Sequence, residues 1–224
     1  MKAILFDFDG VIVDTMHLHH EATAKVFSGV GKTLSEKELR EIDVMRASDA
    51  FKISFSGMSE EERAALVAKY YAFLKEQSSG IKPFPGFLEF LFKVKGKYPL
   101  AVVSSSRKEF IEYVLNGIGE RGSFQVVLGA DEVSKGKPHP EGYIKAARLL
   151  RVPIKECLVV EDAILGIKAA KDAGAKCVAV TTTYDRNFLL DADLIVDSLA
   201  ELSIAGLEAL FNNPKRTPRH SRGV

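Results

Sequence analysis

Ile4-Leu5-Phe6-Asp7-Phe8-Asp9-Gly10-Val11-Ile12-Val13-Asp14 is the stretch that decides the fold. An apolar run ends in two carboxylates two residues apart, and a glycine follows. Residues two apart on a strand point to the same side. Asp7 and Asp9 are therefore expected to converge at the carboxyl end of a strand, where open α/β sheets place their ligands. Two carboxylates held close repel each other, and both stay ionised only with a cation between them. The pair calls for a cation or a shared proton, which makes it a candidate for chemistry.

Further strands are expected at Leu100–Val103, Gln125–Leu128, Cys157–Val160, Cys177–Val180 and Leu194–Val196, with helical patterns between most of them. Continuous apolar runs suit parallel strands buried on both faces. Their alternation with helices predicts an α/β fold with a doubly wound parallel sheet. Residues 15–80 differ, having helical patterns and no buried strand. Ser35 with Glu38 and Ser59 with Glu62 fit capping boxes, and Leu66, Val67, Tyr70, Phe73 and Leu74 follow the helical period, as do Phe51 and Phe55 one helix earlier. These aromatics read as the core of a small bundle. The expected organisation is a core from residues 1–14 and 81–213, a helical insertion at 15–80, and a basic tail at 214–224 carrying Lys215, Arg216, Arg219 and Arg222.

The chain has 224 residues, a formal net charge of +1 and 46% apolar residues. That describes an ordinary globular protein and gives no general reason to expect nucleic acid. No apolar run reaches the roughly 18 residues that a membrane helix needs. No signal peptide is visible, and Cys157 and Cys177 sit in apolar segments, so free buried thiols in the cytoplasm are expected. Gly117-Ile-Gly119-Glu-Arg-Gly122 spells a dinucleotide fingerprint, but a helical segment precedes it and a strand follows, the reverse of the required order.

Polar residues cluster directly after the apolar runs. Ser104, Ser105, Ser106 and Arg107 follow the second, Lys137 comes after the third, and Glu161-Asp162 end the fourth. In a parallel sheet these lie on the same edge as Asp7 and Asp9. Carboxylates recruit Mg²⁺, which keeps waters for a phosphate to replace, while hydroxyl, N–H and lysine donors suit phosphate oxygens. Asp7 can attack phosphorus to form an aspartyl-phosphate. Asp9 can act as general acid and base, and Mg²⁺ with Lys137 would offset the transferring charge.

Asp7-Phe8-Asp9-Gly10, Ser104, Lys137-Pro138 and Glu161-Asp162 together resemble the four motifs of the haloacid dehalogenase-like superfamily. The stretches Lys137–Tyr143 and Glu161–Gly174 resemble its β-phosphoglucomutase and phosphoglycolate phosphatase-like branch. The resemblance implies a Rossmann-like core with a helical cap. It implies Mg²⁺ held by Asp7, Asp162 and the backbone carbonyl of Asp9 with Glu161 close by, and Ser104 and Lys137 as phosphate ligands. Dehalogenases lack the second aspartate, so Asp9 argues for phosphoryl transfer. His19 falls where β-phosphoglucomutase-like enzymes carry a histidine near the cap hinge, which gives it a substrate-side role. Ser105 is placed for phosphate or substrate contacts, or for capping the next helix. Arg46 lies in the cap segment that faces substrate in relatives, and solvation at a helix start is its other reading. Asp14 reads as a helix cap or turn. The expected activity is a Mg²⁺-dependent phosphatase acting on a small phosphorylated metabolite, a sugar phosphate or a phosphoglycolate-like compound. A sugar-phosphate mutase using the same intermediate is the alternative. A monomer is expected.

Overall fold

The computed structural model of the chain describes residues 1–43 and 45–212. The basic tail expected at 214–224 lies outside the described residues. The six apolar runs become β1 (Ala3–Phe6), β2 (Leu100–Val103), β3 (Val126–Leu128), β4 (Cys157–Glu161), β5 (Lys176–Val180) and β6 (Leu194–Val196). They form one sheet in the order β3-β2-β1-β4-β5-β6, with every neighbouring pair parallel. β1 is central. Phe6 pairs with Val102 on one side and Val160 on the other. The residues that follow these three strands therefore emerge at one edge, beside the point where the strand order reverses.

Between β1 and β2 the chain runs through α1 (Met16–Ser28), α2 (Glu36–Asp43), α3 (Ala47–Ser54) and α4 (Glu60–Gln77) before α5 (Phe87–Val94). The first four helices form the insertion. The two expected capping boxes are present. Glu62 N–H donates to Ser59 Oγ at 3.2 Å and Ser59 N–H to Glu62 Oε2 at 2.7 Å, and the Ser35–Glu38 pair makes the same exchange at 3.3 and 2.8 Å. Thr15 occupies the N-cap position of α1 without a side-chain capping bond, and Asp14 lies one position outside it. Phe27, Phe51, Phe55 and Tyr70 pack ring to ring, with Phe27 and Phe55 centroids 4.6 Å apart. Burying each large apolar side chain stabilises by about 1.5–3 kcal/mol. The entering and leaving strands of the insertion lie side by side: Phe84 N–H donates to Ile12 O at 2.9 Å and Val13 bridges Pro83.

Strand alternation sorts the rest of the core into two faces. Ile4, Phe6, Val102 and Val160 pack with α5, with α6 (Lys108–Gly117) and with Leu207 of the last helix. Ala3, Leu5, Ala101 and Val159 pack with α7 (Glu141–Leu149) and α8 (Ile164–Ala173). The first cluster runs on without a break into the insertion through Phe8, Val11 and Leu18, so cap and sheet share one apolar core. The last helix, α9, spans Ile204–Asn212. Gly117 closes α6 and Gly122 precedes β3, the helix-then-strand order that excludes a dinucleotide loop.

Candidate active site

β1 stops at Phe6, so the two aspartates lie on the loop beyond it and not on the strand itself. Asp7 N–H still donates to Val160 O at 2.9 Å, which carries the ladder one residue further. Gly10 turns the chain at φ 83°, and a Cβ there would lie 1.9 Å from Asp162 Oδ2. Only glycine fits that close approach.

Lys137 Nζ lies 2.7 Å from Asp7 Oδ1 and 2.6 Å from Glu161 Oε1, and its side chain is 11% exposed. Burial alone would lower its pKa, but the Asp7 and Glu161 charges outweigh that and hold it above the ordinary lysine range. Glu161 is fully buried, with four donors on its two oxygens. Tyr143 O–H and Lys137 reach Oε1, and the Asp162 and Ala163 N–H groups reach Oε2 at 3.1 and 3.2 Å. Its carboxylate is thereby pinned, and it holds Lys137 against Asp7.

Asp7, Glu161 and Asp162 offer oxygens within 4.8 Å of one another. Asp162 Oδ1 is buried without a hydrogen-bond partner among the described residues. Burial, then Glu161 and Asp9, raise the Asp7 carboxyl to about 7 against the pull of Lys137. Burial with Asp7 and Glu161 raises Asp162 well above the carboxylate range. An orphaned carboxylate oxygen facing a carboxylate that resists ionisation is the environment a divalent cation relieves, and the oxygen donors suit a hard ion. The residues therefore fit a bound metal.

Asp9 turns the other way. Its Oδ1 accepts from Thr15 Oγ1 at 2.6 Å and faces His19 Nε2 at 2.9 Å, while its Oδ2 accepts from Ser104 at 3.0 Å and Ser106 at 2.8 Å. Burial would raise its pKa, but His19 and these hydrogen bonds prevail and lower it to about 2. His19 Nδ1 meets Tyr70 O–H at 2.5 Å. The histidine thus links the insertion to the second aspartate.

The cleft over Asp7, Asp9, Lys137 and Asp162 is closed by Met16, His19, Met45, Tyr70 and Tyr71 of the insertion, and Ser105 and Ser106 line its wall. Ser104 sits one layer back, bonded to Asp9 and accepting from Ser106 N–H at 2.9 Å. Arg46 does not line this cleft but an adjoining hollow, which shares Ser105 and Lys137 with it. Its guanidinium pairs with Asp49 at 2.5 Å and donates to the carbonyls of Val133 at 3.0 Å and Ser134 at 3.3 Å, joining the start of α3 to the loop after β3. Sequence reasoning gave no role to Tyr143, Thr15 or Gly166. Tyr143 lay inside a quoted motif, but its partner is 18 residues away. A Cβ on Gly166 would lie 1.8 Å from Glu161 Oε1, so α8 can rest on that carboxylate only through a glycine.

A central parallel sheet, paired aspartates after its first strand and a lysine tied to a fourth-strand carboxylate define a class. The chain belongs to the haloacid dehalogenase-like hydrolases, whose profile matches residues 4–180. It falls in the β-phosphoglucomutase-like branch and is a phosphoric monoester hydrolase of that family. Among particular relatives, it is 37% identical to validoxylamine A 7'-phosphate phosphatase of Streptomyces hygroscopicus subsp. limoneus, over 90% of this chain and 95% of that one. It is 29% identical to hexitol phosphatase A of Escherichia coli, over 91% and 94%. Among solved structures, β-phosphoglucomutase from Clostridium difficile superposes with a TM-score of 0.87 at 27% identity, covering 95% of this chain and 97% of that one. Among the described residues no helix is long and apolar enough to cross a membrane.

Proposed function

We propose that this enzyme is a Mg²⁺-dependent phosphatase that hydrolyses a small phosphorylated metabolite through an aspartyl-phosphate on Asp7. The observation that carries the reading is Asp7 held 2.7 Å from Lys137 in the same cleft as Asp9, under a helical cover. Asp7 attacks phosphorus, an Asp7 oxygen–phosphorus bond forms, and the bond from phosphorus to the substrate alcohol breaks. Asp9 hands the departing oxygen a proton. It then takes one from water as that water attacks phosphorus and frees Asp7. The His19 imidazole, 2.9 Å from Asp9 Oδ1, lies on the path by which Asp9 is charged with a proton. Lys137 steadies the phosphoryl oxygens while Glu161 and Tyr143 hold it in place. Asp7, Asp162 and the main chain of Asp9 would hold Mg²⁺, which supplies charge neutralisation when bound. Ser105 and Ser106 face the phosphate side of the cleft. The cap excludes bulk water, and the site needs no second subunit, which supports a monomer. The two cysteines are free and buried, which supports a reducing, cytoplasmic setting.

Asp7→Asn is expected to abolish phosphate release from a panel of sugar and carboxylate phosphates, and retained turnover would refute the mechanism. The mutase alternative has the structural likeness to β-phosphoglucomutase in its favour. It is separated by product, since a mutase converts β-glucose 1-phosphate to glucose 6-phosphate when primed by a bisphosphate.

A further inference from the structure

The carboxylates and Lys137 account for the phosphoryl end of the substrate, and the upper cleft must receive the rest. Met16, Met45, Tyr70, Tyr71, Leu165 and Tyr184 line that part. Among the described residues lining the cleft, Lys137 is the one lysine or arginine, and its ammonium is committed between Asp7 and Glu161. Both ring nitrogens of His19 face partners, Asp9 and Tyr70. Arg46, before α3, and Arg107, before α6, are not among the residues that line the cleft. Arg46 is held by Asp49 and the carbonyls after β3. Arg107 lies over the Tyr71 ring, 5.0 Å from its centroid.

We infer that the alcohol half of the substrate is uncharged: the enzyme takes the monophosphate of a neutral polyol or ring alcohol, with no second phosphate and no carboxylate. This rests on the phosphatase reading and decides among the substrates it leaves open. Lys137 and a metal held by Asp7 and Asp162 would serve the phosphoryl end, so a second anion in the upper cleft would meet no lysine or arginine in its wall. An unpaired charge moved out of water is disfavoured. A neutral carbon skeleton brings no charge to desolvate: its C–H faces pack on Tyr and Met surfaces, and hydroxyls of Ser105, Thr183 and Tyr184 are within the lining. Discrimination then comes from what the cleft withholds as much as from what it offers. A mutase that must seat a bisphosphate is disfavoured on the same ground.

The test uses matched pairs that differ at the far end alone. Glucitol 6-phosphate is compared with 6-phosphogluconate, glycerol 3-phosphate with 3-phosphoglycerate, and glucose 6-phosphate with glucose 1,6-bisphosphate. Phosphate release gives kcat/KM for each, and calorimetric titration into the Asp7→Asn variant gives binding without turnover. The neutral member is expected to exceed its charged partner at least tenfold. Equal or reversed preference in turnover overturns the inference and leaves the phosphatase standing. If no compound is hydrolysed by the wild-type enzyme, the phosphatase reading falls, and the binding preference alone decides: a tenfold bias to the neutral members sustains the inference, and its absence overturns it.

Discussion

Gly166→Ala sets two effects of opposite sign against each other. Gly166 lies in the first turn of α8, and helix propensity alone predicts that alanine stabilises by up to about 1 kcal/mol. The added Cβ, however, would sit 1.8 Å from Glu161 Oε1 and 2.0 Å from its Cδ. Glu161 cannot swing aside without loss, because Tyr143, Lys137 and two backbone N–H groups hold it. Overpacking costs about 1–3 kcal/mol, and each hydrogen bond to a charged group that is broken costs about 1.5–3 more. With one such bond lost and the propensity gain of about 1 kcal/mol subtracted, the net is a destabilisation of about 1.5–5 kcal/mol. Urea denaturation of wild type and variant reads this directly, with a fall in the midpoint at unchanged m-value. Turnover of p-nitrophenyl phosphate should fall as well, because Glu161 positions Lys137. The cause is isolated by a double-mutant cycle: in a Glu161→Ala background, Gly166→Ala should cost little or nothing. A variant that is as stable as wild type or more so would refute the reasoning, and so would a cost that persists without Glu161.

Tyr143→Phe removes one charged hydrogen bond from Glu161 and leaves Lys137 in place, so a loss of about 1.5–3 kcal/mol in denaturant stability is expected with a smaller loss of kcat. An unchanged stability would show that the hydroxyl does not hold the carboxylate. Asp193 is bound by Lys171 at 2.6 Å, Lys176 at 3.0 Å and Cys177 N–H at 2.8 Å. Burial would raise its pKa, but these donors lower it on balance. A depressed folded pKa means that its stabilisation is complete above the unfolded value, about 3.9, and is lost as pH falls through the folded value. Asp193→Asn should therefore be less stable than wild type at pH 7, with the gap narrowing below about pH 4 in urea titrations; a gap independent of pH would contradict this. Stripping divalent cations should stop turnover, and restoring Mg²⁺ should raise Tm in wild type more than in Asp162→Asn, because the ion binds the folded site alone. Equal shifts would place the ion elsewhere.

The elements were legible because local chemistry specifies them. All six strands coincide with continuous apolar runs, which water excludes from any exposed position. The capping boxes at Ser35 and Ser59 lie within four residues and need no tertiary contact. Asp7, Asp9, Lys137 and Asp162 were marked by position, since polar groups directly after buried strands have one edge to occupy. Side-chain commitments were less legible. Ser104 was expected at the phosphate, and neither its bond to Asp9 nor that of Ser106 could be read from the sequence. Arg46 was expected to face substrate, and its partners are the neighbouring Asp49 and carbonyls 87 and 88 residues away. Nothing local distinguishes an arginine that binds a ligand from one that binds a loop.

From the sequence alone follow a parallel sheet, a helical insertion, a pair of aspartates at the sheet's edge and the phosphoryl chemistry they imply. Alternation of apolar and polar residues is a property of the chain, and the edge follows from it. Folding decided how the two aspartates part company. Asp7 is packed against Lys137, Glu161 and Asp162 and pushed up to about 7, whereas Asp9 is turned to His19, Thr15 and two serines and lowered to about 2. Two carboxylates two residues apart are chemically alike in sequence. Charge, burial and hydrogen-bond donors differ around each only once the strands and the cap have brought distant side chains together, so that Asp7 sits among the carboxylates that a cation would bridge and Asp9 sits against a histidine of the insertion.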